Sequence, residues 1–69
     1  MTPDEAMQCA ISTLNLKVGQ MGYEEYDLEE TSREWDEQLQ MWVVELTAYI
    51  EGVKKGSTRY AEPPDTQRI

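Results

Sequence analysis

The residues best suited to chemistry in this chain are carboxylates, and they are crowded. Glu24, Glu25, Asp27, Glu29, Glu30, Glu34, Asp36 and Glu37 fall within one run of fourteen residues, opposed only by Arg33. Eight acids less one base leave seven of the chain's eight net negative charges in that run. A block of this density repels itself and weakens the compact state. The chemistry that relieves it is contact with cations. Tyr23 and Tyr26 interleave with Glu24, Glu25 and Asp27. Carboxylates mixed with aromatic rings suit Arg and Lys side chains, which pair with acids and stack on ring faces. Tyr23, Glu24, Glu25, Tyr26, Asp27, Glu29, Glu30, Glu34, Asp36 and Glu37 are therefore the candidate partner-binding residues.

Other chemistries are disfavoured by what the chain lacks. It has no histidine, and Cys9 is its only cysteine. A cysteine–histidine nucleophile is therefore excluded, and so is an internal disulfide. Paired carboxylates can act as acid and base only where burial tunes them apart. The acidic run is too polar to supply that burial, and no glycine-rich phosphate loop is present. We expect no enzyme activity and no catalytic residue. Asp27, Glu29 and Glu30 could hold a hard cation, but the run lacks the spacing of a calcium-binding EF-hand loop and the Glu-x-x-His pairs of helical di-iron sites. No specific metal and no cofactor are expected. The acidic balance argues against direct contact with nucleic acid or an anionic membrane. No apolar run approaches the roughly 20 residues that a membrane span needs. A lone cysteine without a signal-peptide pattern suits the cytoplasm.

The elements that carry these residues read as helices. Thr2-Pro3-Asp4-Glu5 offers an N-cap hydroxyl, a proline at the first helical position and a capping-box glutamate. Met7, Ala10, Ile11, Leu14, Val18 and Met21 follow at helical spacing, and Gly19 or Gly22 can end the helix. This gives a helix over 3–20. Thr31-Ser32-Arg33-Glu34 repeats the capping pattern. Trp35, Leu39, Trp42, Val43, Leu46, Tyr49, Ile50 and Val53 then form a second stripe, with Lys54, Lys55 and Gly56 suited to a helix end. This gives a second helix over 32–55, an acidic linker over 22–31 and a mobile tail over 57–69. Within them Met7, Ile11, Leu14, Val18 and Met21, and Trp35, Leu39, Trp42, Leu46, Tyr49 and Val53, step by four and three, the period of a coiled-coil seam. The expected fold is all-α, an antiparallel helical hairpin forming one domain over 1–56. The alternative is α+β. Trp42, Val44, Leu46, Ala48 and Ile50 also alternate, and their types suit a strand. Lys55-Gly56 could turn such a strand back through 57–60, giving a strand or hairpin at about 41–61.

One seam leaves apolar residues over. Met41-Trp42-Val43-Val44 would go right round a helix. Met41, Val44 and Ala48, with Cys9 and Leu16 of the first helix, then form a second face for docking or oligomerisation. A chain of this size rarely stabilises itself by its core alone, so we expect a homodimer, with two hairpins making a four-helix bundle. Cys9 itself reads as a small, buried, inert side chain. The functional expectation is a small acidic interaction protein that binds and blocks a basic partner, such as a nucleic-acid-handling protein whose groove its carboxylates imitate. Small acidic inhibitors, phage-encoded ones among them, share this size and charge, a likeness of composition alone. Two other expectations stand beside it: an assembly adaptor docking through the apolar face, and an oligomer sequestering a small ligand between subunits.

Overall fold

Thr2 starts the one helix found among the described residues, which run from 2 to 64 in this computed structural model. The Thr2 hydroxyl accepts from the Glu5 amide at 3.2 Å, and the Glu5 carboxylate accepts from the Thr2 amide at 2.8 Å. Two amides that the helix leaves without a partner are thereby satisfied. The helix, α1 (Pro3–Gln20), ends at Gly22, which sits at φ +94°. The Gly22 amide donates to Gly19 O at 2.9 Å and the Tyr23 amide to Val18 O at 3.2 Å. That pair of bonds is a Schellman motif, and it needs a left-handed residue where glycine stands.

Beyond α1 the chain forms three strands: β1 (Asp27–Asp36), β2 (Met41–Ile50) and β3 (Val53–Glu62). They make one antiparallel sheet in the order β1-β2-β3. The fold is therefore α+β, and the all-α helical hairpin is corrected. No second helix over 32–55 exists to build a four-helix bundle. The α+β alternative, with its strand or hairpin over about 41–61, describes this part of the chain. The linker over 22–31 gives way to β1 at Asp27, and the tail over 57–69 begins as strand through Glu62. Its last residues, 65–69, lie outside the described residues.

The hairpin turns explain the error. Asp36 closes the first one: its carboxylate accepts from the Gln38 and Leu39 amides, each at 2.9 Å, and its carbonyl from the Gln40 amide at 2.8 Å. Gln40 ends the loop at φ 56°. The second turn is Glu51-Gly52, both with positive φ (52° and 80°), between the paired residues Ile50 and Val53. Two such residues are the type I′ turn whose twist matches that of the flanking strands. Lys55-Gly56, the turn expected for the strand alternative, instead lies inside β3, with Gly56 opposite Ala48. Thr31, read as a helix cap, is the extra residue of a bulge between Glu30 and Ser32.

The core lies between α1 and one face of the sheet. Ala6, Ala10, Leu14 and Val18 form the buried ridge of α1. Ala10, Leu14 and Val18 meet Val44, Leu46 and Ala48, every second residue of β2. Met7, Ile11, Tyr26, Trp42, Ile50 and Tyr60 pack round them. Burying a side chain such as Leu14 or Val44 contributes roughly 1.5–3 kcal/mol. Met21, expected on the stripe, is exposed. The apolar run Met41-Trp42-Val43-Val44 needs no second helix face. In a central strand, consecutive residues simply divide between the two sides of the sheet. The helix packs on β3 and β2 and does not reach β1.

Candidate functional site

Strand alternation sorts the acidic residues. Asp27, Glu29, Glu34 and Asp36 pair with Tyr49, Thr47, Val43 and Met41, so they share the face of the sheet that α1 leaves open. Glu30 pairs with Leu46 and lies on the opposite side. Glu24 and Glu25 belong to the connection before β1, and Glu37 to the turn after it. The carboxylates thus form a line along the outermost strand, about 30 Å from Asp27 to Asp36 at a strand's rise per residue. Asp36 is partly committed, because its side chain holds the turn.

The middle of the open face is internally bonded. Thr31 Oγ1 lies 2.8 Å from Thr47 Oγ1 and donates to Glu45 Oε1 at 3.0 Å. Glu45 also sits 3.7 Å from the Arg59 guanidinium of β3. Thr47, buried by these neighbours, has its hydroxyl satisfied. Asp27, Glu29 and Glu34 have no cation within ion-pair distance among the described residues. Positive charge gathers instead on the far strand, at Lys54, Lys55 and Arg59.

On the side that faces α1, one network crosses all three strands. Arg33 of β1 bonds Glu30 through Nε and Nη2, both at 2.9 Å, and reaches Glu62 of β3 through Nη1. Its guanidinium carbon lies 5.9 Å from the centre of the Trp42 ring, which Trp35 meets edge to face at 5.3 Å. The bonded guanidinium holds the Glu30 carboxyl below the usual carboxylate range, and the two carboxylates push the Arg33 pKa up. Tyr60 lies beneath this network. Burial raises its phenol pKa, with the Glu62 charge adding to the effect, and its hydroxyl is buried without a hydrogen-bond partner among the described residues.

A shallow cleft of about 180 Å³ opens where β1 begins, lined by Glu25, Tyr26, Asp27, Tyr49, Ile50 and Glu51. Three carboxylates and two phenol rings suit an ammonium or guanidinium group. The Tyr26 hydroxyl donates to the Asn15 side chain, which fixes that ring against α1. Tyr23, the other tyrosine expected here, already has a cation: Lys55 Nζ lies 5.2 Å from its ring centre. Tyr49, Ile50 and Glu51 were not foreseen as part of a site. The Glu51-Gly52 dipeptide was the available signal, since a turn there brings the end of β2 beside the start of β1.

The expected apolar docking face is not assembled. Val44 and Ala48 lie in the core beneath α1, Met41 is half-buried on the open face, and Leu16 and Cys9 are exposed on the helix. Cys9 is thus not a buried side chain. Among the described residues no group of three or more metal-ligating side chains is placed to hold an ion, and no helix is long and apolar enough to cross a membrane. Comparison of the chain with protein-family models, curated proteins and solved structures finds no match.

Proposed function

We propose that this protein is a non-enzymatic interaction module that binds and blocks a cationic protein surface through the open face of its sheet. The observation that supports this most is the row Asp27, Glu29 and Glu34, three carboxylates on one face with no internal cation among the described residues. Glu30, Glu45 and Glu62 are by contrast each paired with an arginine, and Asp36 accepts from the amides of the turn. The cleft at the start of β1 gives the row an anchoring end, where a Lys or Arg side chain meets Tyr26, Tyr49 and three carboxylates. A line of charge is also the form that imitates a phosphate backbone. A basic nucleic-acid-binding protein in the cytoplasm is the partner class we favour, with counterion release driving the contact.

The test is affinity capture with the full chain at low and high salt, beside a variant carrying Asp27→Asn, Glu29→Gln and Glu34→Gln. Capture of a basic protein that fades with salt and is lost in the variant supports the reading. Capture that survives both neutralisation and high salt would refute it.

A further inference from the structure

We propose that the outer edge of β1 accepts an extended peptide segment of alternating basic and apolar residues as a fourth strand of the sheet. The proposal rests on the reading of β1 as a cation-binding strand, and adds how the partner is held. Among the described residues β1 pairs with β2 alone, so one side of its ten residues presents backbone donors and acceptors with no strand to meet them. Such an edge is a template for strand addition unless something guards it.

The two edges of this sheet are treated differently. α1 packs over β3, and Lys17 Nζ donates to Ser57 O of that strand at 2.8 Å. A lysine on an edge is a common guard. Nothing comparable covers β1 among the described residues. The helix stops short of it, leaving Leu28 40 % and Trp35 37 % exposed on the side that α1 occupies elsewhere. A strand laid beside β1 would place alternate side chains on the two faces. Those on the open face would lie beside Asp27, Glu29 and Glu34, and those on the other beside Leu28 and Trp35 at its two ends, with the paired Glu30 and Arg33 between them. Basic residues suit the first row and apolar residues the two ends of the second.

The same charges select the occupant. Two copies joined antiparallel through β1 would bring the acids of one against the acids of the other, an arrangement that like charges disfavour. A neutral strand gains nothing from the carboxylate row. The bulge at Thr31 interrupts the edge and leaves Asp27–Glu30 and Ser32–Asp36 as the pairing stretches.

The test uses the full chain and a short peptide alternating Lys and Val, beside the same peptide N-methylated at every second amide. Binding is followed by calorimetry at low and high salt, and β1 amides by hydrogen exchange. Strand addition predicts that N-methylation weakens binding by at least about tenfold, a loss equivalent to ~1.4 kcal/mol. It also predicts that β1 amides gain protection when the parent peptide binds. Equal binding of both peptides, still steeply salt-dependent, would overturn strand addition and leave the cation-binding reading intact. Failure of both peptides to bind at low salt would overturn both readings. Self-association of the chain that the parent peptide cannot break would assign the edge to a second copy and overturn the proposal.

Discussion

Val43 and Val44 are neighbours of identical chemistry whose truncation separates a strand from a helix. In the structure Val44 is 0 % exposed, packed under Leu14 and Val18, whereas Val43 is half-buried on the open face. Val44→Ala removes two methyl groups, about 1.6 kcal/mol at roughly 0.8 per group. The vacancy beneath α1 adds a cavity term and brings the expected loss to about 2–3 kcal/mol. Val43→Ala leaves its space open to solvent and should cost under about 1 kcal/mol. A domain of this size has only about 3–5 kcal/mol from its core, so Val44→Ala removes two fifths of it or more. At about 4–8 °C per kcal/mol, the Tm should fall by roughly 10–20 °C, against a few degrees for Val43→Ala. Urea and thermal unfolding followed by circular dichroism measure both. A helix over 32–55 gives the reverse order, because there Val43 lies on the apolar stripe and Val44 does not. Equal losses, or a greater loss at Val43, would refute the sheet face assigned to these residues.

Three further outcomes are expected. Glu51→Asn should raise stability by about 1 kcal/mol, read as a higher urea midpoint, because Glu51 holds φ 52° and asparagine tolerates that region better. No gain would argue against the type I′ turn. Glu30 titrates below its unfolded value, so the stability it contributes is present above the ordinary carboxylate range and lost as the pH falls through its folded pKa. The pair is solvent-exposed, so the effect should stay within about 0–1 kcal/mol, and Glu30→Gln should flatten the acid limb of the stability profile. Tyr60 is shifted the other way, above 10.0, so its contribution is complete below about pH 10 and lost as the pH rises through the folded value. Tyr60→Phe removes a buried hydroxyl that has no partner among the described residues and should stabilise the fold by about 1 kcal/mol while removing that alkaline loss. A destabilised Tyr60→Phe would show that the hydroxyl is bonded in solution.

Much of the site was legible as composition but not as arrangement. The carboxylates at Asp27, Glu29 and Glu34 and the tyrosine at Tyr26 were visible from types and order alone. Their division was not, because it depends on a period of two and on the bulge at Thr31. Glu30 left the acidic row for Arg33, and Asp36 was partly taken by the turn, since each found a local partner. Tyr49 and Glu51 joined the cleft only because the sheet lays the end of β2 beside the start of β1.

What the chain fixed by itself was local. Thr2 and Glu5 satisfy each other's amides from within three residues, Pro3 has no amide N–H to leave unpaired, and Gly22 ends the helix through its own backbone freedom. Net charge and the absence of histidine needed no fold at all. Residues 41–50 were different. Nearly all of them are apolar, so a helical stripe and a strand alternation both found matches there. Only pairing with β1 on one side and β3 on the other, with α1 covering Val44, Leu46 and Ala48, distinguishes the two. Strand partners range from neighbours across a turn, such as Ile50 and Val53, to residues as separated as Asp27 and Tyr49, and the helix that buries one side of them lies further off still, so a short window of sequence holds only part of what decides the strand.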